Sequence, residues 1–447
     1  MSKYLAFLGI IFHISTVAQS IEKVDPKEVY QLAKDNALAA ITPIHKIKEM
    51  NKELYQWGEL LFFDKSLSGN KNISCAQCHD PLRFSGDGLP LGVGEGAFFS
   101  KKEIRLEQGA ILKRHTPTLI NLGRPEIRHY FWDGRVAKSS RSDALFTPEP
   151  AISGGANAKR KDITAALSGP LAAQALFPLA DSKEMAGQSG ENEIADLPTT
   201  LERWDAIIKE RVLPNQKYVE LFKKSFKEKS GSKLNIGHVG SALAEFQRFY
   251  FESSQTPFDQ FMRGKWDALS QKELRGLSVY IKEAQCASCH NGEHLSHFEF
   301  DSSGAPQIGT LENIEDFGRQ EASGRGRHRF MFKTTQLRNI ALTAPYFHSG
   351  SVNTLEEVVD HYSAIATQLN SYKISEPTQD FYEGQLHYDN DKENNELRKL
   401  QVEGTVFQVG LKLTPLQRDD LIYFLRHSLT DKSFKERMES KLQKKPN

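Results

Sequence analysis

The sequence predicts a mainly α-helical fold built from two similar units. Most segments with periodic hydrophobicity have their apolar residues at helical spacing, and strand signals are few and short. One short cysteine motif also occurs twice, starting at Cys75 and at Cys286. The chain of 447 residues is long enough for two or three domains that each bury a core. We expect an N-terminal domain over residues 21–254 and a C-terminal domain over residues 255–447.

Each copy of the motif follows a predicted amphipathic helix. Residues 58–63 precede the first copy and residues 276–281 precede the second, and both segments begin with glycine and continue mainly with apolar residues. This likeness indicates a weak internal repeat, with one copy of the motif in each domain.

Three further helices have their own signals. Residues 239–251 carry apolar residues at helical spacing and stop before Pro257. Thr354 begins a capping box, and Thr414 precedes Pro415 as an N-cap followed by proline at the first helical position.

Two stretches are typical of loops. Residues 84–100 are rich in glycine but lack the Gly-Lys-Ser/Thr ending of a phosphate-binding loop, which argues against nucleotide binding. Residues 370–405 are polar and charged, and they predict an insertion or a mobile loop before the last helix.

All four cysteines of the chain belong to the repeated motif. Its copies at residues 75–79 and 286–290 both read Cys-x-x-Cys-His, the attachment signature of c-type haem. The thiols that would add to the porphyrin vinyl groups are Cys75, Cys78, Cys286 and Cys289. His79 and His290 follow directly and would be axial ligands of the two irons. The sequence therefore predicts two covalently bound haems, one in each of two cytochrome c-like domains.

Three other interpretations of the cysteines fit less well. A disulfide framework has varied spacings in a short chain, whereas these spacings are identical. A zinc site built from the four cysteines would leave the two histidines without a role. A thioredoxin-like pair needs one copy beside a βαβ pattern, which this sequence does not have.

The first 20 residues resemble a cleavable secretory signal. Lys3 precedes a short apolar stretch, and small residues allow cleavage after Ala18 or Ser20. An uncleaved anchor is the alternative, although polar residues interrupt the apolar run. Because c-type haem is attached outside the bacterial inner membrane, we expect a periplasmic protein. The net charge of +1 favours neither nucleic acid nor a membrane surface as a partner.

Several blocks outside the cysteine motifs resemble those of bacterial di-haem cytochrome c peroxidases and the related MauG-type proteins. The blocks are residues 114–121, 131–135, 177–185, 337–339, 345–350 and 354–359. They keep the family's order and spacing from Gly58 to Leu429. The resemblance implies that hydrogen peroxide is cleaved at the N-terminal haem and that the C-terminal haem relays or stores electrons.

The resemblance also implies roles for three side chains near the N-terminal haem. Trp132 matches a tryptophan that lies between the haems, although alone it would be interpreted as a core aromatic. Glu184 matches the acid–base residue, and Gln174 is its polar companion in the family pattern. Cleavage of peroxide moves a proton from one oxygen to the other, and a carboxylate of raised pKa in a partly apolar pocket can carry it. Without the resemblance, Glu184 would be interpreted as a solvated helix residue.

At two positions the chain departs from the peroxidases and approaches the MauG-type proteins. Many of the peroxidases carry a loop histidine that blocks the first iron until the second haem is reduced, and this chain has Glu95 there. Because a carboxylate is a much poorer haem ligand, we predict an open N-terminal site that needs no reductive activation. His115 and His129 are the candidates for a substitute ligand.

The second departure concerns the sixth ligand of the C-terminal haem. Tyr362 stands where the peroxidases have methionine, as in MauG-type proteins. Leu355, Val359 and Tyr362 share one face of the predicted helix, so Tyr362 points where the apolar side chains point. Tyrosinate oxygen favours ferric and higher iron states. An ordinary buried tyrosine is the alternative, in which case Met331 or His361 would be the ligand.

The family also binds calcium near the domain interface. Thr343 and Pro345 match positions whose carbonyls bind this ion, but His115 replaces an asparagine, and Ca²⁺ prefers oxygen to imidazole. The sequence therefore leaves calcium binding open. Arg338 and Arg135 are candidate partners for haem carboxylates, with a structural ion pair as the alternative for each.

From these observations we expect a periplasmic di-haem c-type peroxidase that reduces hydrogen peroxide at the N-terminal haem. Its electrons would come from a small cytochrome c or cupredoxin through the C-terminal haem. The first alternative is a MauG-type oxidase that takes electrons from side chains of a protein partner and modifies them. The second alternative is a di-haem electron carrier without enzymatic activity. The family also favours a homodimer.

Overall fold

The structure is a computed structural model that describes residues 23–100, 102–402, 407 and 409–443. The predicted secretory signal, residues 1–20, lies outside the described residues. Helices dominate, which confirms the mainly α-helical prediction. The α-helices are α1 (Pro26–Asp35), α2 (Lys52–Phe63), α3 (Cys75–Cys78), α4 (Lys161–Ala166), α5 (Pro170–Gln174), α6 (Phe177–Ala180), α7 (Thr200–Ile207), α8 (Gln216–Phe226), α9 (Ile236–Tyr250), α10 (Pro257–Met262), α11 (Gln271–Ile281), α12 (Arg319–Ser323), α13 (Leu355–Ser363), α14 (Ile365–Ser371), α15 (Glu376–Phe381), α16 (Lys392–Leu400), α17 (Pro415–Tyr423) and α18 (Lys432–Gln443).

Strands are short, as predicted, and they pair loop segments with one another rather than form a large sheet. The strands are β1 (Phe98–Phe99), β2 (Ile104–Arg105), β3 (His129–Tyr130), β4 (Val136–Lys138), β5 (Leu145–Phe146), β6 (Phe300–Asp301), β7 (Ile308–Gly309), β8 (Phe332–Lys333) and β9 (His387–Tyr388). In the described part of the chain they form antiparallel ladders in the orders β1–β2, β3–β4–β5, β6–β8 and β7–β9. No helix there combines the length and apolar character needed to cross a membrane.

Helices α13 and α17 begin where their capping residues predicted them, and α9 begins at Ile236, three residues before the predicted segment 239–251. The Thr354 hydroxyl accepts a hydrogen bond from the Glu357 N–H at 3.2 Å, and the Thr414 hydroxyl accepts one from the Gln417 N–H at 3.2 Å. Each cap satisfies a backbone donor that has no partner inside its helix. Helix α17 continues directly into a π-helical turn at Phe424–Ser428.

The two helices that precede the cysteine motifs pack against their neighbours in a similar way. Helix α2 crosses α9 at Gly58, and α11 crosses α17 at Gly276. A Cβ at Gly58 would lie 1.9 Å from the carbonyl oxygen of Ala242, and one at Gly276 would lie 2.2 Å from that of Asp420. In both units a glycine therefore allows two helix backbones to touch.

Two large hydrophobic clusters form the core. The first surrounds Trp57 and Trp204, and the second surrounds Tyr280 and Phe424. The N-terminal helix α1 packs into the second cluster, and the C-terminal helix α18 packs into the first. Each cluster therefore includes a helix from the opposite end of the described chain. The division into residues 21–254 and 255–447 stays a prediction.

The stretch over residues 370–405 is an insertion with its own helices rather than a loop. It contains α15, β9 and α16. Tyr382 is fully buried, and its hydroxyl accepts a hydrogen bond from the Leu91 N–H at 3.0 Å. Arg398 and Asp389 form a buried ion pair at 2.6 Å. These anchors depend on burial and tertiary contacts, so the composition of the segment did not reveal them.

Candidate active site

One cavity of about 920 Å³ brings together the residues predicted around the N-terminal haem. Its lining includes Cys75, Cys78, His79, Trp132, Gln174 and Glu184. These residues come from α3, the end of α5, the turn after α6 and the loop after β3, so the tertiary fold assembles them. The volume is at the upper end of the usual range for cofactor sites, ~300–1,000 Å³.

The first cysteine motif occupies α3, a single helical turn. A reciprocal cap between Ser74 and Gln77 starts this turn, with the Gln77 Oε1 accepting a hydrogen bond from the Ser74 N–H at 2.6 Å. The turn places both thiols on the cavity wall, and His79 follows at its end. The His79 Nδ1 lies 3.0 Å from the carbonyl oxygen of Ser85. This hydrogen bond assigns the proton to Nδ1 and leaves the Nε2 lone pair free.

The second motif repeats this arrangement. Cys286–Ser288 form a 3-10 turn, and the Nδ1 of His290 lies 3.1 Å from the carbonyl oxygen of Leu295. The Tyr280 hydroxyl donates a hydrogen bond to the carbonyl of His290 at 2.5 Å. Burial lowers the pKa of His290 to about 4 and also lowers the pKa of His79. Two neutral imidazoles with a free Nε2 are suited to ligate haem iron.

No disulfide joins any of the four cysteines in the structure, which argues against the disulfide interpretation. Burial raises the pKa of Cys75 and of Cys286 to about 12, so these thiols are protonated. Among the described residues, one group of three potential metal ligands has its ligand atoms close together, and it contains a single cysteine. The group is Cys289, His297 and Asp301. The cysteines therefore do not converge on a zinc site, and their placement fits thioether attachment in two separate motifs.

Glu184 lies on a π-helical turn, Ser182–Ala186, and faces the cavity. Burial, and to a smaller extent the negative charge of Asp181, raises the pKa of Glu184 to about 7. Arg135, which lines the same cavity, acts in the opposite direction. A carboxyl with this pKa exchanges its proton readily near neutral pH.

Trp132 forms a wall between two cavities. Its indole Nε1–H donates a hydrogen bond to the carbonyl of His115 at 2.8 Å, and its own carbonyl accepts one from the Lys333 N–H at 2.7 Å. It lines the cavity of the first motif and a second one of about 90 Å³. The second cavity is lined by several residues that follow the second motif, between positions 333 and 347. The side chain of Gln174 is buried and also lines both cavities.

The carboxylate of Glu95 is held by two side-chain amides. Its Oε1 accepts hydrogen bonds from the Nδ2 of Asn70 at 2.9 Å and of Asn72 at 2.6 Å. Its backbone N–H donates to the carbonyl of Lys183 at 3.0 Å. Glu95 is therefore fixed within the protein, next to the turn that carries Glu184, and its correspondence to the family's loop histidine stays a prediction.

Of the two candidate substitutes for the loop histidine, His115 lines the cavity and His129 does not. The Nδ1 of His115 lies 2.8 Å from the carbonyl oxygen of Leu89, so its Nε2 keeps a lone pair and His115 stays the candidate. His129 lies in β3, with its ring centroid 5.1 Å from that of Phe300. Burial, together with the positive charge of Arg319, lowers the pKa of His129 to about 4.

Of the three candidate ligands for the second haem, Tyr362 lies near the second cysteine pair. Burial raises its pKa, and negative charge on the sulfurs of Cys286 and Cys289 would act in the same direction. Its ring centroid is 4.4 Å from that of Phe407. His361 is 1% exposed, and its Nε2 bonds to the carbonyl of Ser303 at 2.9 Å. Met331 belongs to a backbone bridge in the segment before β8.

Arg338 forms the ion pair that was the alternative to contact with a haem carboxylate. Its side chain is fully buried and pairs with the equally buried carboxylate of Asp259 at 2.8 Å. It also donates to the carbonyls of Glu293 at 2.6 Å and of Ala39 at 3.1 Å. These contacts favour the structural role, and contact with a haem carboxylate stays a prediction. Arg135, in contrast, lines the first cavity.

Thr343 and Pro345, the predicted calcium positions, line the smaller cavity together with His115 and Lys333. The Lys333 ammonium donates to the carbonyl of His129 at 3.2 Å, and burial lowers its pKa to about 8. A cationic side chain and an imidazole in the same cavity make this a poor setting for Ca²⁺.

Sequence reasoning missed two parts of this site. Asp181 precedes the π-helical turn and could have been found, because an aspartate before Ser-Lys-Glu is a capping signal. Arg114 carries no such signal. Its guanidinium is bonded to Asp133 at 2.6 Å and to Asp316 at 2.6 and 2.7 Å, so it joins segments from both halves of the chain.

The chain matches one protein family and several of its named members. A model of the di-haem cytochrome c peroxidase family matches residues 52–267. The cytochrome c551 peroxidase of Nitrosomonas europaea is 30% identical over 346 residues, which cover 76% of this chain and 81% of that protein. The methylamine utilization protein MauG of Methylorubrum extorquens is 30% identical over 345 residues, covering 75% of this chain and 77% of that protein.

A solved structure has a similar fold. The crystal structure of a MauG-like protein associated with microbial copper homeostasis matches with a TM-score of 0.58 and 25% identity, covering 89% of this chain and 94% of that chain. Membership of a di-haem family implies c-type haems, which agrees with the two Cys-x-x-Cys-His motifs. The chain therefore belongs to the di-haem cytochrome c peroxidase and MauG family, and it is an oxidoreductase of the cytochrome c peroxidase type.

Proposed function

We propose that this protein is a periplasmic di-haem c-type peroxidase that reduces hydrogen peroxide at its N-terminal haem with electrons relayed through its C-terminal haem. The observation that carries the proposal is Glu184, a carboxyl with a pKa of about 7 in the same cavity as the first Cys-x-x-Cys-His motif. The names of the relatives support peroxide as the substrate.

The residues of each motif would hold one haem through two thioether bonds and one imidazole ligand. When bound, the N-terminal haem supplies the iron at which peroxide is reduced. His79 would present its neutral Nε2 to that iron, and the hydrogen bond from its Nδ1 to Ser85 makes the imidazole a stronger electron donor. His290 would do the same in the C-terminal unit through its bond to Leu295.

Cleavage of the O–O bond requires a proton to leave one peroxide oxygen and reach the other. The carboxylate of Glu184 would accept the first proton and return it to the departing oxygen, which leaves as water. The buried amide of Gln174 lines the same cavity and would orient the peroxide by a hydrogen bond. Arg135 favours the ionised form of Glu184, so that part of the population can act as a base near neutral pH.

Electron transfer between the two haems would pass through Trp132. Its indole and its backbone carbonyl are both hydrogen-bonded, so the ring is held in one orientation between the two cavities. Tyr362 would be the oxygen ligand of the C-terminal haem, with Met331 and His361 as alternatives. In this division the residues around His79 would serve the reactive haem, and those around His290 would serve the haem that stores electrons.

The N-terminal site would be open in the protein as isolated. Glu95 is bonded to Asn70 and Asn72 rather than presented as a ligand. A Cβ at Gly94 would lie 1.9 Å from the carbonyl oxygen of Lys183, so the loop packs directly on the π-helical turn. A loop anchored in this way has no ligand to withdraw, and reductive activation would not be required.

Oxidation of a protein partner, as in MauG-type proteins, is the second candidate function. The position of Tyr362 near the second cysteine pair favours it, because a tyrosine ligand stabilises oxidised iron. Electrons would then come from side chains of the partner instead of a small cytochrome c or cupredoxin. Steady-state turnover of peroxide with a reduced small cytochrome c or cupredoxin would support the peroxidase.

A non-enzymatic electron carrier is the third candidate function. The position of Glu184 in the cavity argues against it.

The remaining parts of the proposal concern location and assembly. Residues 1–20 would direct the chain to the periplasm and be cleaved there. A homodimer, common in the family, would be the assembly. A calcium ion at Thr343 and Pro345 would share its cavity with the ammonium group of Lys333, which disfavours binding of the ion.

Addition of hydrogen peroxide to the as-isolated ferric holoprotein, followed by stopped-flow absorbance and EPR, tests the proposal. The wild type should show a high-spin ferric signal and react without prior reduction. Glu184→Gln cannot accept the proton and should react about 10²–10⁴-fold more slowly. Glu202→Gln, an exposed position on α7, is the matched control and should react like the wild type. Two low-spin haems that ignore peroxide would refute the enzymatic proposal, and reaction only after one-electron reduction would refute the open site.

A further inference from the structure

We propose that Asp181 is the positioning residue for Glu184: its side chain builds the turn that carries Glu184 and places a second carboxylate in the same cavity. The inference rests on the proposed function, because it concerns the proton-transfer group of that site. Asp181 itself lines the cavity of the first motif.

Asp181 closes the turn with both its carboxylate and its backbone carbonyl. The carboxylate Oδ1 accepts hydrogen bonds from the N–H groups of Lys183 at 2.8 Å and of Glu184 at 3.1 Å. The carbonyl accepts from the N–H groups of Met185 at 3.0 Å and of Ala186 at 2.8 Å. Four consecutive backbone N–H groups therefore donate hydrogen bonds to Asp181. The peptide of Glu184 is fixed relative to the cavity wall as a result.

The π-helical turn depends on this cap, because the turn is short and no helix continues it on its C-terminal side. It covers only Ser182–Ala186 and ends at Gly187, whose φ of +85° does not continue a helix. The residue before Asp181 is fixed as well, since Arg203 donates to the carbonyl of Ala180 at 2.7 Å. The backbone of Asp181 is therefore anchored before the turn begins.

The charge of Asp181 adds to the effect of burial on Glu184. Both act to raise the pKa of Glu184, and Arg135 acts in the opposite direction while it pairs with Asp133 at 3.1 Å. The other cations that line the cavity have carboxylate partners: Lys183 with Glu312, Lys113 with Glu321, and Arg114 with Asp133 and Asp316. Burial has the largest effect on the proton affinity of Glu184, and the charges of Asp181 and Arg135 modify it in opposite directions.

The pH dependence of the peroxide reaction in the holoprotein tests this inference. Because Glu184 acts first as a base, the rate should rise with pH and reach half its maximum near pH 7 in the wild type. Asp181→Asn keeps a capping oxygen and removes the charge, so the midpoint should fall by about 0.5–1 pH unit with the maximal rate within about twofold. Asp181→Ala also removes the cap, and its maximal rate should fall about tenfold or more.

Asp25→Asn is the matched control, because Asp25 caps α1 in the same way, at 2.9 Å from the Lys27 N–H. It should leave the pH profile unchanged. Glu184→Gln separates the inference from the proposed function: if this variant keeps the wild-type midpoint, Glu184 is not the titrating group and the proposed function fails. If Glu184→Gln abolishes the midpoint but Asp181→Asn leaves it unmoved or raises it, the inference about Asp181 is wrong. Should Asp181→Ala fail to fold, Asp181→Asn still decides the question.

Discussion

Tyr382 is expected to hold the glycine-rich loop against the C-terminal insertion, and Tyr382→Phe tests this. Its hydroxyl accepts a hydrogen bond from the N–H of Leu91 at 3.0 Å and donates one to the carbonyl of the same residue. Tyr382 and Leu91 are both 0% exposed, so water does not compete for these bonds in the folded protein. Phenylalanine keeps the ring in the cluster with Leu91 and Val93 and removes only the hydroxyl.

The cost of the substitution follows from the two buried backbone groups that lose a partner. A buried donor or acceptor left unsatisfied costs about 1–3 kcal/mol. Even one such group would therefore make opening of the loop about 5- to 150-fold more frequent. Because Glu95 and Gly94 in the same loop contact Lys183, a loosened loop should also slow the peroxide reaction at Glu184.

Hydrogen exchange followed by mass spectrometry on the holoprotein measures this opening. Backbone amides over residues 91–97 should exchange about 5- to 150-fold faster in Tyr382→Phe than in the wild type. Tyr372→Phe is the matched control, since its hydroxyl donates to the carbonyl of Ser351 at 2.8 Å, outside the glycine-rich loop. Unchanged exchange over residues 91–97 in Tyr382→Phe, or an equal increase in Tyr372→Phe, would refute the reasoning.

Two further predictions concern the C-terminal unit. Tyr362→Phe should shift the low-spin EPR signal of the oxidised holoprotein, and an unchanged signal would move the ligand assignment to Met331 or His361. Arg338→Met should lower the free energy of unfolding by about 3–5 kcal/mol, because it leaves the carboxylate of Asp259 buried without its partner. Chemical denaturation measures this loss, with Arg426→Gln as the control: Arg426 pairs with Glu356 at the surface and should cost about 1 kcal/mol or less. Equal stability of the two variants would contradict the buried ion pair.

Local signals predicted much of the secondary structure, and the failures have a physical cause. The caps at Thr354 and Thr414 were predictable because each depends on residues three positions apart. For residues 370–405 the sequence left an insertion and a mobile loop open, because the anchors of this stretch are tertiary: Tyr382 bonds to the backbone of Leu91, and Arg398 pairs with Asp389 in the protein interior. Composition carries no information about such contacts.

The two haem motifs could be recognised from the sequence alone because the residues of each motif are neighbours in the chain. Cys-x-x-Cys-His is complete within one helical turn, so its chemistry does not depend on the rest of the fold. The resemblance then predicted Trp132, Gln174 and Glu184, and whether they act as proposed remains for experiment.

Only the tertiary structure decided how the environments of these residues differ. It buried Glu184 beside Asp181, tied Glu95 to Asn70 and Asn72, and paired Arg338 with Asp259. The physical reason is that desolvation and charge interactions depend on distances between atoms remote in the chain, and packing sets those distances.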